Sequence, residues 1–163
     1  MAIGNYSLDA NTSGDRNTAI GYAALGANTT GSSNVAIGAQ SLDSNTNGEQ
    51  NVAVGFYSLQ ANASGTSNTA LGSYAGYATT GSYNTAVGHQ SLYLNVGGAS
   101  NTAIGRQALK SNNSASDNTA VGVSSPIDPT ASLASSTIGC KMSSISSIFI
   151  PAKYCLRLNS SPE

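Results

Sequence analysis

Of the 163 residues, six are Lys or Arg, seven are Asp or Glu and one is His, so 8% of the chain is charged and the net charge is −1. Soluble domains carry roughly 25% charged residues, and a balance this thin leaves no basic footprint for nucleic acid and no cationic face for an anionic membrane. The sequence holds no apolar run of about 18 residues of the kind a transmembrane helix needs, and no charged and then apolar leader follows Met1.

The chain is organised by one phrase. Asn17-Thr18-Ala19-Ile20-Gly21 returns from Asn34, Asn51, Asn68, Asn84, Asn101 and Asn118, at steps of 17 residues except the 16 from Asn68 to Asn84. A fixed period of this kind predicts a stack of identical coils rather than a globular core. Met1 stands where Thr18 stands one copy later, so the chain opens inside a repeat, as a fragment of a longer fibre or an array begun at that codon. Counting Asn17 as position 1, position 2 is Thr or Val, 3 is Ala, 4 is Ile, Val or Leu, and 5 is Gly. Leu recurs at position 9, Asn at 12 and Gly at 15. Each coil therefore reads as a short strand, a corner, a second segment ending at Leu and a closing loop. The expected fold is all-β: a parallel β-roll or β-solenoid of about seven 17-residue coils over residues 1–122.

Alternation along the strand sends positions 2 and 4 one way and positions 3 and 5 the other. Hydrophobicity selects the inner face, and the expected core is two rows. One is Ile20, Ile37, Val54, Leu71, Val87, Ile104 and Val121; the other is Leu25, Leu42, Leu59, Leu92 and Leu109, with Leu8 before them. On this reading Ile37→Asp breaks the core. Asn17, Asn34, Asn51, Asn68, Asn84, Asn101 and Asn118 are expected at corners, where Asn and Gly tolerate left-handed backbone, with their amides laddered from coil to coil. Two large apolar residues per coil are a thin core, and burial of the Ala/Gly face against copies of the same chain is expected to supply the remainder, giving an oligomer.

The fourth coil departs from the pattern, with Gly76 where Leu belongs and one residue missing before Gly81. A kink is expected there, with Tyr74 or Tyr77 turned inward. From residue 123 to 163 the repeat stops, and all four prolines and both cysteines fall in this tail. Residues 145–150 and 154–158 have the composition of capping strands, and a poorly ordered end is the other reading.

Catalytic material is sparse. His89 has no acid placed beside it, and Asp9, Asp15, Asp43, Glu49 and Asp117 never recur in one row through adjacent copies. That pattern forms neither a glycosidase carboxylate pair nor a calcium-binding row, and neither a metal nor a cofactor is expected. Cys140 and Cys155 lack the partners of a zinc site; a disulfide or two free thiols both remain open. Aromatic and amide side chains gather at positions 6 and 7, and Tyr22, Gln40, Phe56, Tyr57, Tyr74, Gln90 and Gln107 form a candidate strip for binding a glycan or protein, or for packing against neighbouring chains.

Asn17-Thr18-Ala19-Ile20-Gly21 and Asn34-Val35-Ala36-Ile37-Gly38 resemble the head repeats of trimeric autotransporter adhesins. The 17-residue form containing Gly21-Tyr22-Ala23-Ala24-Leu25 is similar to repeats of phage and viral tail-fibre proteins that end in a self-cleaving chaperone. The resemblance covers residues 1–122. It implies a left-handed parallel β-roll, a homotrimer or fibre, a cell-surface receptor, glycan or matrix protein as target, and a place outside the cell or on a virion. Residues 123–163 match neither the stalk and anchor of the adhesins nor the chaperone of the fibres. The function expected is thus a structural fibre segment with an adhesive surface. The alternative is an ice-binding solenoid using Thr18, Thr69, Thr85, Thr102 and Thr119; a depolymerising tailspike requires paired acids in a groove.

Overall fold

The computed structural model describes residues 1–123. The expectations placed on the tail, including the capping strands and the two cysteines, lie outside those residues. Eight short strands, β1 (Ala2–Ile3), β2 (Thr18–Ile20), β3 (Val35–Ile37), β4 (Val52–Val54), β5 (Thr69–Leu71), β6 (Thr85–Val87), β7 (Thr102–Ile104) and β8 (Thr119–Val121), form one parallel sheet in chain order. This is the expected all-β solenoid of about seven coils. Each strand pairs in register with the one a coil away, so that Ala19, Ala36, Ala53, Ala70, Ala86, Ala103 and Ala120 form a single file. The 16-residue coil keeps that file, with Ala70 opposite Ala86, so its missing residue is absorbed in the loop and not in the sheet.

The interior differs from the expected one in its parity. Alternation holds, but the inward face is that of positions 1 and 3: the alanine file is buried throughout, whereas the aliphatic row faces outward or is half-buried. Ile37 is 37% exposed, Ile104 40%, and Leu71 and Val121 50% each, while Ile20, Val54 and Val87 are half-buried. The physical reason is the narrowness of the coil. Buried small residues at position 8 (Ala24, Ser41, Ser58, Ala75, Ser91, Ala108) and the leucines at position 9 share the inside of the coil with the strand. The strand centre therefore has room for a methyl group and not for a branched side chain. The leucine row is placed as expected, with Leu25, Leu42, Leu59, Leu92 and Leu109 all fully buried. The Ala/Gly face, being internal, is not available as an assembly contact.

The asparagines are internal as well. None of the seven takes a left-handed conformation; those angles fall at positions 5, 7, 9 and 17. Each Asn instead closes the ladder with its side chain. Asn34 N–H donates to Asn17 Oδ1 at 2.9 Å, and the same bond joins Asn51 to Asn34 and Asn68 to Asn51, also at 2.9 Å. The amide nitrogen reaches across the coil to the carbonyl at position 15, as from Asn34 to Gly48 and from Asn51 to Gly65, both at 2.8 Å. The position-12 asparagine, such as Asn45 or Asn62, donates to that same carbonyl. Buried amides thus do what a wide apolar core does elsewhere, because a paired polar group inside costs little whereas an unpaired one is expensive.

Left-handed backbone falls on residues that local preference would not choose. The buried leucines sit at φ near +50°, from 48° at Leu92 to 52° at Leu25, a conformation costing about 1–2 kcal/mol for a side chain with a Cβ. Burial of the leucine, worth about 1.5–3 kcal/mol, and the coil-to-coil bond from Leu25 N–H to Ser41 O (3.0 Å) offset that cost. At position 5 only Gly serves: a Cβ on Gly21 would lie 2.6 Å from the Gly38 carbonyl oxygen.

The fourth coil does not turn a tyrosine inward. Gly76 keeps the left-handed angle of the leucines it replaces (φ +61°), and Leu59 of the preceding coil leans over it, its Cδ2 2.9 Å from where a Cβ would stand. Tyr74 and Tyr77 stay on the outside, half-buried.

Candidate functional site

With Asn, Ala, Ser and Leu committed to the interior, chemistry can vary only at outward positions, and two surfaces result. The first is the corner formed by positions 6, 7 and 10. Backbone bonds ladder it from coil to coil: Gln40 N–H to Tyr22 O (2.8 Å), Tyr74 N–H to Phe56 O (2.8 Å), Gln107 N–H to His89 O (2.9 Å). Along this ladder the side chains stack. Tyr57 and Tyr74, one coil apart, lie parallel with ring centroids 5.5 Å apart, and Tyr77 and Tyr93 repeat the arrangement at 5.1 Å. Phe56 stands edge-on to both Tyr57 (4.3 Å) and Tyr74 (5.5 Å). Parallel rings at such separations are offset stacks, so their faces lie against one another along the rod and their edges and hydroxyls are left to solvent.

The structure brings Phe56, Tyr57 and Tyr74 into one cluster. It keeps Tyr22 apart, in an edge-to-face pair with Tyr6 at 5.6 Å. The three glutamines lie half-buried in the same column, and Gln107 Nε2 donates to Gln90 Oε1 at 3.0 Å. Gln40 hydrogen-bonds Asp43, whose carboxyl is pushed above the usual aspartate value by burial, with the Gln40 bond acting the other way. Tyr77 and Tyr93, aromatics that the sequence shows gathered near positions 6 and 7, join this corner, and sequence reasoning left out its charged and imidazole members Lys110, Arg106 and His89. Tyr77, Tyr93 and Lys110 share position 10, and the Lys110 Nζ lies 5.9 Å from the centre of the Tyr93 ring; His89, exposed, meets Tyr74 edge-on at 6.4 Å. The signal was in the spacing: Tyr77, Tyr93 and Lys110 follow one another at 16 and 17 residues, as the repeat itself does.

The second surface is the outer face of the sheet. Position 4 gives an unbroken aliphatic column from Ile3 through Val121, and position 2 runs beside it as Thr18, Val35, Val52, Thr69, Thr85, Thr102 and Thr119. No formal charge lies on either column. With strands about 4.8 Å apart, eight strands make a face about 34 Å long.

Charge is distributed unevenly along the rod. From Gln50 through Gly105 the chain carries no Asp, Glu, Lys or Arg. Asp9, Asp15, Arg16, Asp43 and Glu49 precede that span; Arg106, Lys110 and Asp117 follow it among the described residues. Among the described residues, the ion pair formed is Arg16 with Asp15 at 3.5 Å, on the surface, no group of three or more His, Cys, Asp or Glu could hold a metal ion, and no helix is long and apolar enough to cross a membrane. No protein-family model, curated protein or solved structure matches the chain.

Proposed function

We propose that this chain is a structural fibre segment that associates with copies of itself through the outer face of its sheet and presents the aromatic corner as an adhesive or receptor-binding surface, outside the cell or on a virion. The observation that carries the reading is the uninterrupted aliphatic column on an uncharged sheet face, five of its eight residues exposed and the other three half-buried. A contiguous apolar face of this kind marks an interaction site. It takes over the assembly role that the Ala/Gly face, now internal, cannot have. A homotrimer, as the repeat's resemblance to adhesin heads implies, would place three such faces around one axis.

The test is the mass of the particle in dilute solution by light scattering after size exclusion. Three chains per particle, reverting to one in Leu71→Asp with its circular dichroism unchanged, is the expected result; a stable monomer at all concentrations overturns it. A second reading has an observation of its own, the file of Thr18, Thr69, Thr85, Thr102 and Thr119 on the outer face of the sheet. Ice binding by that file would appear as thermal hysteresis in the monomer and disappear in Thr85→Lys.

A further inference from the structure

The aromatic corner ends on cations, and this narrows what it can hold. Resting on the adhesive reading above, we infer that the corner from Tyr74 to Lys110 binds an extended acidic polysaccharide, its sugar hydroxyls on the tyrosine edges and its carboxylate or sulfate groups on Arg106 and Lys110. Arg106 stands one coil beyond His89 in the position-6 column, and Lys110 one coil beyond Tyr93 in the position-10 column. Among the described residues neither cation has a carboxylate within ion-pair distance, the pair Arg16–Asp15 being at the other end of the rod. Two cations without a carboxylate partner, Lys110 lying over the Tyr93 ring, follow a span of 56 residues with no formal charge and offer a local anion site on a chain whose net charge is −1. Guanidinium and ammonium groups in such a setting bind carboxylate or sulfate oxygens by charge-assisted hydrogen bonds.

Ligand class follows from what the corner lacks. Single-stranded nucleic acid binds by stacking bases on exposed ring faces, but here Tyr77 and Tyr93 stack on each other at 5.1 Å and Lys110 covers Tyr93. A peptide laid on as an extra strand needs free backbone donors and acceptors. The corner's own backbone is already bonded from coil to coil, as from Tyr74 N–H to Phe56 O. Phenol hydroxyls, the His89 imidazole and amide side chains are what project, and these suit a polymer studded with hydroxyls. The coils repeat every 4.8 Å or so, close to the advance per residue of an extended pyranose chain, so successive sugars meet successive coils.

The experiment titrates the intact chain with polygalacturonate, hyaluronan and dextran sulfate, using dextran as the neutral control and oligo(dT) as the nucleic-acid control. Binding is read by calorimetry, with light scattering on the same samples. Expected is binding to at least one acidic polymer, absent for dextran and weakened by salt. It should weaken at least about tenfold in Arg106→Gln/Lys110→Gln, at an exposed and a half-buried position, with unfolding unchanged; Tyr93→Phe, which keeps the ring and removes the hydroxyl, should weaken it less. No acidic polymer bound, dextran bound equally, binding indifferent to the double substitution, or oligo(dT) bound more tightly each overturns the inference. A trimer that ignores all three acidic polymers would defeat this inference and leave the fibre reading standing. A monomer that binds through Arg106 and Lys110 would do the reverse.

Discussion

Asn51→Ala tests whether the amide file, and not an aliphatic core, holds the coils together. Asn51 Oδ1 accepts the buried N–H of Asn68 at 2.9 Å, and its Nδ2 donates to Gly65 O at 2.8 Å and Asn34 Oδ1 at 3.1 Å. Truncation leaves the Asn68 N–H buried without its acceptor, a penalty of about 1–3 kcal/mol, and removes two further bonds worth about 0.5–1.5 kcal/mol each. The Gly65 carbonyl keeps the Asn62 amide and the Asn34 oxygen keeps the Asn51 N–H, so neither is orphaned. The sum is a loss of about 2–6 kcal/mol, read as a shift of the urea midpoint by far-ultraviolet circular dichroism. Because each coil touches only its neighbours, the transition should also broaden as the two halves of the array uncouple. Thr46→Ala is the control: it removes an exposed bond to Ala63 O and should cost less than 1 kcal/mol or so. Asn51→Asp separates volume from bonding. It keeps the acceptor for Asn68 but sets a carboxylate against the Gly65 carbonyl, so it should be severely unstable at neutral pH and partly recover in acid. A loss for Asn51→Ala no larger than that of Thr46→Ala would refute the reasoning.

Ile37→Asp should leave the stability of an isolated chain within about 1 kcal/mol, since Ile37 faces outward, while abolishing assembly in sedimentation; unfolding of the monomer would restore the aliphatic core. Gly38→Ala should cost about 3 kcal/mol or more by urea melts, because φ is +130° and the new methyl would stand 2.6 Å from the Gly55 carbonyl oxygen. Asp43 has its folded pKa raised by burial above the ordinary 3.8, so the fold disfavours its charged form. Its penalty is present at neutral pH and is removed as pH falls through the raised value towards 3.8. Asp43→Asn should therefore raise the melting temperature at pH 7, with the advantage over the parent vanishing in acid; an advantage that persists in acid would refute this.

The period, the strand at each Asn-Xaa-Ala phrase, the parallel stacking and the leucine row were legible in the sequence, because each is a matter of spacing. The parity of the strand was not legible from hydrophobicity. The inward-pointing residue in a coil this narrow is chosen by volume, and Ala19 fits where Ile20 does not. A different signal was present: positions 1 and 3 are Asn and Ala in every copy from Asn17 on, whereas positions 2 and 4 vary. Uniformity marks the side confined by neighbours above and below. The left-handed leucines were equally hidden, since local preference assigns those angles to Gly or Asn, and the bonds that override it run between coils. In the aromatic corner Phe56, Tyr57 and Tyr74 were found by composition. Lys110 escaped because it belongs to position 10, which elsewhere holds Asp9, Gly26, Asp43, Gln60, Tyr77 and Tyr93 and shows no type of its own.

The densest aromatic stacking lies where the interior is weakest, and the two facts are connected. Coil four lacks its leucine at Gly76 and has Thr79 in place of the position-12 asparagine, and the hydroxyl of Thr79 and Oδ1 of Asn62 beneath it are buried without partners. The missing leucine forgoes about 1.5–3 kcal/mol. Outside that same coil, Tyr74 stacks on Tyr57 and Tyr77 on Tyr93, each bridging to a neighbouring coil. Aromatic pairs of this geometry contribute about 0.5–1.5 kcal/mol each beyond their burial. Two such bridges are of the size of the leucine loss alone, leaving the two unpaired polar groups uncompensated. A corner rigidified in this way presents its hydroxyl edges at fixed intervals before any ligand arrives, and so gives up less freedom on binding than the same tyrosines would on a mobile loop. The defect in the core and the ordered surface above it thus belong to one arrangement, in which coil four exchanges interior apolar contact for an external stack.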